Sequence, residues 1–409
     1  MNRLSVVMGI GLLGAFGCAG QPGDAPADSE RSSAAALEGY PVDFPNKSRT
    51  PTPDVATAAT MKYFGGPVIP NAKVYVLWWG NAANINPVLT AAKGGISDFF
   101  AGITNSKYMD WLNEYNTTIN AQAGSHVGSP GTNQRIGRGS FAGALTLSPV
   151  PAGNVTDTQI QATLDSAFTA GTLPQPDDAT IYAIFFPRSV TITLTGVGSS
   201  CSTFGAYHFS TTETTRHNAY YLVMPDCGSS FSGFTRVTSH ELIEATTDAI
   251  PTPGSNPDFP QAWNDSSGSE VGDLCEGTSG TIATPLGSFS VQGIWNELAQ
   301  NCAVSRTFAR DYNVSFAQGA ATITSGTPTS FSVATATSAG TSQTLTLSVT
   351  APVGVTAQLG ATQLTSGQST TLTITAPTPA AAAQVVVRAD GTTGTAAQSH
   401  TAGLLLTVK

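Results

Sequence analysis

The chain has few basic residues and lacks several motifs by which common enzyme classes are recognised. Only 17 Lys and Arg stand against 26 Asp and Glu, and the formal net charge is −9. This balance argues against nucleic acid and against an anionic membrane surface as partners. There is no Gly-x-Ser-x-Gly sequence and no glycine-rich phosphate loop with a Lys, so neither Ser-His-Asp hydrolysis nor nucleotide binding has positive support.

Cysteine is also scarce, and none of the five cysteines forms a Cys-x-x-Cys pair. A cysteine-based zinc site is therefore not expected. With Cys18 set aside, four cysteines remain, and they could pair in three ways. An exported compartment favours disulfides, and nearest-neighbour pairing predicts Cys201–Cys227 and Cys275–Cys302.

The N-terminus predicts export. Arg3 precedes an uncharged run, Leu4 to Phe16, which is too short to span a bilayer and typical of a signal peptide over residues 1–17. A small residue precedes Cys18, as a bacterial lipoprotein signal requires, although Ala15 stands where Leu is usual. We expect lipidation of Cys18 and association with an outer membrane through that lipid; ordinary secretion is the alternative. No later apolar run reaches the ~18 residues of a membrane helix.

Composition divides the remainder into three segments. Residues 18–53 are rich in Ala, Pro, Ser, Asp and Gly and predict a flexible spacer. Residues 54–309 alternate predicted strands with helices, including a capping box at Thr156 to Gln159. This alternation favours an α/β core, with a zincin-like α+β arrangement as a further possibility.

The last hundred residues have a different composition. From Ser315 onward the only charged residues are Arg388, Asp390 and Lys409, while Thr, Ala, Ser and Gly dominate. Alternating apolar positions, as in Leu345 to Val349, and turn signals predict an all-β, Ig-like sandwich over residues 310–409. A disordered Thr/Ala-rich stalk is the alternative.

One segment carries most of the chemistry. His240-Glu241-Leu242-Ile243-Glu244 lies in a run of good helix formers, so His240, Glu244 and Asp248 share one helical face. His240 and Glu244 could bind one metal, as the two histidines of His-Glu-x-x-His do, and Glu241 could act as the general base. Glu in place of the second His weakens the preference for zinc and admits calcium. A solvated helix face without metal is the alternative.

The sequence downstream adds possible ligands. Between Val237 and Ser305 there are nine Asp and Glu residues but no Lys or Arg, and such a stretch is either a solvated face or a cation site. Glu270 and Asp273, or Asp265, could supply a third ligand from a Gly/Ser-rich loop beside the predicted Cys275–Cys302 disulfide. His208 is a further candidate, although a lone His is more often structural.

Ordered sequence blocks resemble the EXORDIUM, or phosphate-induced, protein family. Tyr63-Phe-Gly-Gly-Pro67 followed by Val74-Tyr-Val-Leu-Trp-Trp-Gly80 is similar to its opening, and Ser239-His-Glu-Leu242 with Glu270 to Cys275 is similar to two later blocks. The likeness spans about residues 60 to 305. It implies an exported protein associated with a cell wall or matrix, and it implies no particular reaction.

Three functions remain open from the sequence. The first is an exported, metal-dependent, peptidase-like hydrolase acting on an extracellular peptide or a cell-envelope substrate. The second is a non-catalytic extracellular matrix or cell-surface protein with a structural metal. The third is an adhesion protein that binds through its C-terminal sandwich. Each of the first two requires a divalent cofactor, zinc or calcium.

Overall fold

The computed structural model describes residues 60–151, 153–211, 217–251, 257–377 and 380–409. The predicted signal peptide, Cys18 and the whole predicted spacer, residues 18–53, lie outside these residues. The described residues are mostly β, with 38% of them in strands and 16% in helices. Helices are few, so this composition by itself does not confirm the α/β class predicted for residues 54–309. None of the helices in the described ranges is both long and apolar enough to cross a membrane.

A five-stranded mixed sheet organises the part of the chain that precedes residue 310. Its strand order is β3-β2-β5-β9-β8. The first four strands of this order are parallel to one another, and β8 pairs antiparallel with β9 at one edge. The strands are β2 (Lys73–Trp78), β3 (Ser140–Thr146), β5 (Thr180–Phe185), β8 (Tyr207–Ser210) and β9 (Tyr220–Met224).

Successive side chains of a strand point to opposite faces of the sheet, and helices pack on both of these faces. Val76 and Ala183 face one side, where they share a core with α1 and α4. Leu77 and Ile184 face the other side and share a core with α3. The helices are α1 (Ile96–Ile103), α2 (Lys107–Asp110), α3 (Asp157–Thr169) and α4 (Phe231–Thr247). The predicted capping box is present at the start of α3.

Short strands and 3₁₀ turns complete this part. Four small sheets lie before residue 310 in the described part of the chain, with the orders β1-β10, β11-β12, β13-β14 and β4-β6-β7. Their bounds are β1 (Lys62–Tyr63), β4 (Val155–Thr156), β6 (Ile192–Leu194), β7 (Gly198–Ser199), β10 (Trp263–Asn264), β11 (Ser279–Thr284), β12 (Gly287–Gln292), β13 (Ile294–Asn296) and β14 (Asn301–Ala303). Three 3₁₀ turns span Ala82–Asn84, Trp111–Tyr115 and Asp273–Cys275.

From Asp311 onward, all described secondary structure is β. One sheet has the order β15-β17-β21-β19 and the other β16-β23-β22-β18-β20, and a separate apolar core lies among their strands. The strands are β15 (Asp311–Phe316), β16 (Ala320–Ile323), β17 (Thr329–Ala339), β18 (Thr344–Thr350), β19 (Thr356–Leu359), β20 (Gln363–Thr365), β21 (Ser369–Thr375), β22 (Ala380–Thr393) and β23 (Ala396–Val408). These strands, with an alternating burial pattern in β18, disagree with the stalk alternative.

Both predicted disulfides are confirmed. Cys201 and Cys227 have Cα atoms 5.1 Å apart, and Cys275 and Cys302 have Cα atoms 5.6 Å apart. These separations lie within the usual range of disulfides. Two disulfides are typical of a protein that folds in an oxidising, extracytoplasmic compartment. The second disulfide joins the 3₁₀ turn Asp273–Cys275 to β14 and so fixes the loop that precedes it.

Candidate metal centre

Helix α4 is buried along the segment that carries the predicted site. Ser230 caps its start by accepting a hydrogen bond from the Gly233 amide. His240, Glu241 and Glu244 each have 0% of their surface exposed. The alternative of a solvated helix face therefore does not fit, and these polar side chains need partners inside the protein.

His240 and Glu244 converge as the helical spacing predicts. The His240 Nε2 and Glu244 Oε2 atoms are 3.0 Å apart. Neither atom has a hydrogen-bond partner among the described residues, so both lack the bond that burial normally demands. The other oxygen of Glu244 accepts a hydrogen bond of 3.1 Å from the Asp273 amide. Glu244 is thus held by the loop while Oε2 points at His240.

Asp273 completes a first group of possible ligands. Its Oδ1 lies 3.9 Å from His240 Nε2, and its Oδ2 accepts a hydrogen bond of 2.9 Å from the Glu270 amide. One ligand atom each from His240, Glu244 and Asp273 lie within 4.8 Å of one another. We call these three residues the helix trio. Four ligands at ~2.1 Å in a tetrahedron are about 3.4 Å apart, so these separations suit a metal ion.

A second group shares Glu244 and adds His208 from the edge strand β8. His208 Nδ1 lies 3.6 Å from Glu241 Oε2 and 3.8 Å from Glu244 Oε2. One ligand atom each from His208, Glu241 and Glu244 again lie within 4.8 Å of one another. We call these residues the strand trio. Glu241, predicted to be a general base, therefore stands in a position where it could also be a ligand.

The backbone fixes the tautomer of His208. Its Nε2 lies 3.2 Å from the carbonyl oxygen of Asp248, which can only accept, so Nε2 carries the proton. The lone pair of Nδ1 then faces Glu241 and Glu244, and Nδ1 has no hydrogen-bond partner among the residues described. Metal-binding histidines are commonly oriented by such a bond from the other ring nitrogen.

Glu270, one of the three loop acids predicted as a third ligand, lies beside the strand trio. Its Oε1 is 3.4 Å from His208 Nε2. Its side chain is fully buried, and neither carboxylate oxygen has a hydrogen-bond partner within the described part of the chain. Glu270 is therefore part of the cluster, but it contacts the outer nitrogen of His208 and belongs to neither trio.

Two candidates serve other purposes. Asp248 ends α4 with φ −143° and ψ 88°, and so leaves the helical face on which it was predicted to lie. Its carboxylate accepts hydrogen bonds from the Ala262 amide, 2.9 Å, and from the Asn264 side chain, 2.6 Å. Asp265 accepts bonds from the Ser267 and Ser269 amides in a turn of its own loop. Neither belongs to a trio.

Burial dominates the electrostatics of the centre. It raises the pKa of Glu244, Glu270 and Asp273 well above the ordinary values, and nearby carboxylates, Glu244 first, raise the pKa of Glu270 further. Burial lowers the pKa of His208 to about 3 and also lowers the pKa of His240. Both histidines are therefore neutral, as metal ligands must be, and the carboxylates need protons or cations.

Two residues that shape the centre could not be recognised from the sequence. Gln292, at the end of β12, places its side-chain nitrogen 2.8 Å from His240 Nδ1 and donates to the Gly272 carbonyl oxygen over 2.8 Å. Gly272 packs directly on the helix trio, since a Cβ there would lie 2.7 Å from both Glu244 Oε1 and His240 Nδ1. Neither an isolated Gln nor one Gly in a Gly-rich loop is a recognisable signal.

A third cluster, at the junction with the C-terminal sheets, already holds a cation. Asp110, Asp311 and His400 bring ligand atoms within 4.8 Å of one another. Arg138 binds both oxygens of Asp110 at 2.6 Å and lies 3.9 Å from Asp311. Its guanidinium supplies the positive charge there, so this cluster is an ion pair and needs no metal.

Comparisons with known proteins do not identify a family. Neither a family model nor a curated protein matches the chain. Domains 4 and 5 of the S-layer protein SbsC align with a TM-score of 0.18 and 11% identity, covering 31% of this chain and 65% of that chain. A chimeric titin Z1Z2 aligns at 0.16 and 19%, covering 25% and 100%, and titin domain M7 at 0.16 and 13%, covering 24% and 93%. At such TM-scores no likeness carries a function, and the EXORDIUM resemblance stays a prediction.

Proposed function

We propose that this protein binds a divalent metal ion at the helix trio and that the metal stabilises its fold. The observation that carries the proposal is the pair of buried ligand atoms, His240 Nε2 and Glu244 Oε2, that face each other at 3.0 Å without a hydrogen-bond partner among the described residues. A metal ion would satisfy both atoms and neutralise the carboxylates; Nε2 binds it only once the Gln292 side chain, whose nitrogen lies 2.8 Å from Nδ1, gives way so that Nδ1 carries the proton. Full burial of His240 and Glu244 favours a structural role, because a substrate cannot reach them without movement of the protein.

The donor set favours a transition metal. His240 offers a neutral imidazole nitrogen, whereas Glu244 and Asp273 offer carboxylate oxygens. Calcium takes oxygen ligands almost exclusively, while a mixed nitrogen and oxygen set suits zinc or a similar ion. We therefore place zinc before calcium. When bound, the metal would polarise whatever oxygen occupies its remaining position.

Metal removal tests the proposal. Metal present at 100 times its Kd stabilises a protein by about 2.7 kcal/mol. For a domain of the size of residues 54–309, this stabilisation raises the Tm by roughly 5 to 10 °C. We expect chelator-treated protein to melt lower and to recover on addition of zinc. The variant H240A should show no recovery, whereas H217A, which alters a histidine paired with Asp178 outside the centre, should recover fully. Equal Tm values with and without metal in the unaltered protein would refute the proposal.

A metal-dependent, peptidase-like hydrolase is the second candidate. Glu241 directly follows a ligand of the helix trio and lies in the same buried cluster, which is the position of a general base. Asp273, with 15% of its side chain exposed, connects the helix trio to solvent. An extracellular peptide or a cell-envelope polymer would be the substrate class.

The variant E241Q separates the two candidates. If Glu241 is the base, E241Q should keep the metal of the helix trio and lose hydrolysis of casein or of a cell-wall preparation by 10²-fold or more. The matched variant E276Q alters a carboxylate nearby that belongs to neither trio and should keep most activity. If the unaltered, zinc-loaded protein hydrolyses neither substrate, the structural role stands alone.

We also propose a cellular location for the protein and a fold class for each of its two parts. We infer export, with residues 1–17 as the signal and Cys18 as a lipid anchor to the outer membrane, from the N-terminal sequence and the two disulfides. We assign residues 54–309 to the α/β class because parallel strands lie between helices on both faces. The sheets after residue 310 fit an accessory Ig-like domain of an envelope or matrix protein. Mass spectrometry of the mature N-terminus tests the anchor.

A further inference from the structure

We propose that the centre holds two divalent metal ions, one at the helix trio and one at the strand trio, with Glu244 as the bridging ligand. This inference rests on the metal binding proposed above and extends it. It gives Glu241 and His208 a role as ligands of the second ion. The chemical class of the second ligand is a divalent transition-metal ion, as at the first position.

His208 is the observation that points to a second ion. Its ring is fully buried, and Nδ1 faces two carboxylates while lacking a hydrogen-bond partner among the described residues. The bond from Nε2 to the Asp248 carbonyl leaves Nδ1 unprotonated, so this nitrogen cannot donate to either carboxylate. An unprotonated nitrogen 3.6 Å and 3.8 Å from carboxylate oxygens repels their lone pairs unless a proton on one carboxylate or a cation lies between them, and a cation satisfies all three groups at once.

Glu244 occupies the position of a bridge. Its Oε2 lies 3.0 Å from His240 Nε2 on one side and 3.8 Å from His208 Nδ1 on the other. The two histidines therefore approach the same carboxylate from different elements, α4 and β8. Carboxylate-bridged metal pairs have ions about 3.5 to 4 Å apart, a spacing that one shared glutamate can span.

The charge of the cluster agrees with two ions. Four carboxylates, Glu241, Glu244, Glu270 and Asp273, lie in or beside the trios, and no Lys or Arg occurs between residues 237 and 305. If all four are ionised, one divalent ion leaves two negative charges in a buried cluster, whereas two divalent ions neutralise it. Uncompensated buried charge is costly, so the second ion is favoured.

Metal counting tests the proposal on the intact protein. Chelator-treated protein is reconstituted with Zn²⁺ alone, dialysed, and its zinc measured by mass spectrometry. We expect two ions per chain in the unaltered protein, one in H208A and one in D273N. The control H217A should hold two. One ion in the unaltered protein overturns the second site, and an absence of ions overturns the metal binding proposed above as well.

A spectroscopic measurement on the unaltered protein tests the proposal without any variant. The unaltered protein is titrated with Mn²⁺ and followed by electron paramagnetic resonance. We expect the signal of the first equivalent to broaden and change into that of a spin-coupled pair as the second equivalent binds, because one carboxylate joins the ions. Two equivalents with independent, uncoupled signals would overturn the bridge, and saturation at one equivalent would overturn the second ion.

Discussion

The backbone of Gly272 lies against the carboxylate of Glu244, so that a Cβ at Gly272 would be 2.7 Å from Glu244 Oε1. The φ and ψ of Gly272, −81° and −41°, are open to any residue. The glycine is therefore needed for space and not for backbone conformation. The loop therefore contacts a proposed ligand directly, and this contact restricts the position of Glu244 against His240.

The first prediction uses that contact. The variant G272A should lower metal affinity by about 10- to 100-fold, as changes beside a metal ligand typically do, because the new methyl group displaces Glu244 and His240. Isothermal titration with zinc measures the effect. The control G277A lies in the same loop, and its Cβ would meet nothing within 4 Å, so its affinity should not change. Equal affinities for both variants would contradict the assignment of the helix trio.

The second prediction compares the two disulfides. They close loops of nearly equal length, with sequence separations of 26 and 27, so chain entropy gives each a similar stabilisation of about 3.5 kcal/mol. Only Cys275–Cys302 fixes the loop that supplies Asp273. C275S/C302S should therefore lose both stability and metal affinity, whereas C201S/C227S should lose mainly stability. Denaturation at saturating zinc and zinc titration separate the two effects, and an equal loss of affinity in both would count against this reading.

The third prediction concerns pH. Burial raises the pKa of Glu114 to about 7, above its ordinary value of 4.5. The folded state therefore binds more protons than the unfolded state between these values, and the free energy of unfolding falls as pH rises from about 5 to 7. The shift corresponds to roughly 3 kcal/mol. E114Q should remove that part of the decline and stabilise the protein at pH 8. Denaturant titrations at several pH values measure the free energy of unfolding of both proteins. If this free energy falls equally steeply with pH in E114Q, groups other than Glu114 cause the decline.

The fourth prediction concerns the junction with the C-terminal sheets. R138M removes the cation between Asp110 and Asp311 and leaves their buried carboxylates without the guanidinium that neutralises them, which should cost about 3 to 5 kcal/mol. The control R388M breaks an exposed pair with Asp390, whose side chains are 51% and 44% exposed, and should cost less than about 1 kcal/mol.

Limited proteolysis gives a second readout of that junction and of the predicted boundary near residue 310. Trypsin cleavage after Arg310 should release a β-rich fragment of about a hundred residues, and R138M should release it faster than R388M. Equal release rates in the two variants would mean that Arg138 does not hold the C-terminal sheets against the rest of the chain. Retention of an uncleaved core would contradict the boundary itself.

The local part of the centre could be predicted from the sequence, because helical spacing alone brings His240 and Glu244 together. Asp273 was within reach as one of three loop acids, since the disulfide at Cys275 ties that loop down. The choice among Asp265, Glu270 and Asp273 depended on the path of the loop. The spacing also placed Asp248 on the same helical face, which failed because the helix ends there and the carboxylate bonds to Ala262 and Asn264 instead.

The long-range part could not be predicted. His208 reaches the centre because β8 pairs antiparallel with β9, with His208 opposite Leu222, at the sheet edge beside α4. No pattern in the sequence fixes that register. Gln292 reaches His240 because its backbone N–H donates a hydrogen bond of 2.9 Å to the side-chain oxygen of Ser239. Such contacts depend on how distant elements pack, and the residue types alone do not reveal them.

The ligands of the two trios come from β8, α4 and the loop before Cys275, and these segments meet only in the folded, oxidised chain. On the proposed function, we expect metal uptake to follow oxidation of Cys275 and Cys302. Because the affinities of such sites for different divalent metals follow a general order, the metal that is available where folding finishes decides which ion is bound. We expect the protein to acquire its metal after export, so that the ion found in it reflects the extracytoplasmic metal supply and not that of the cytoplasm.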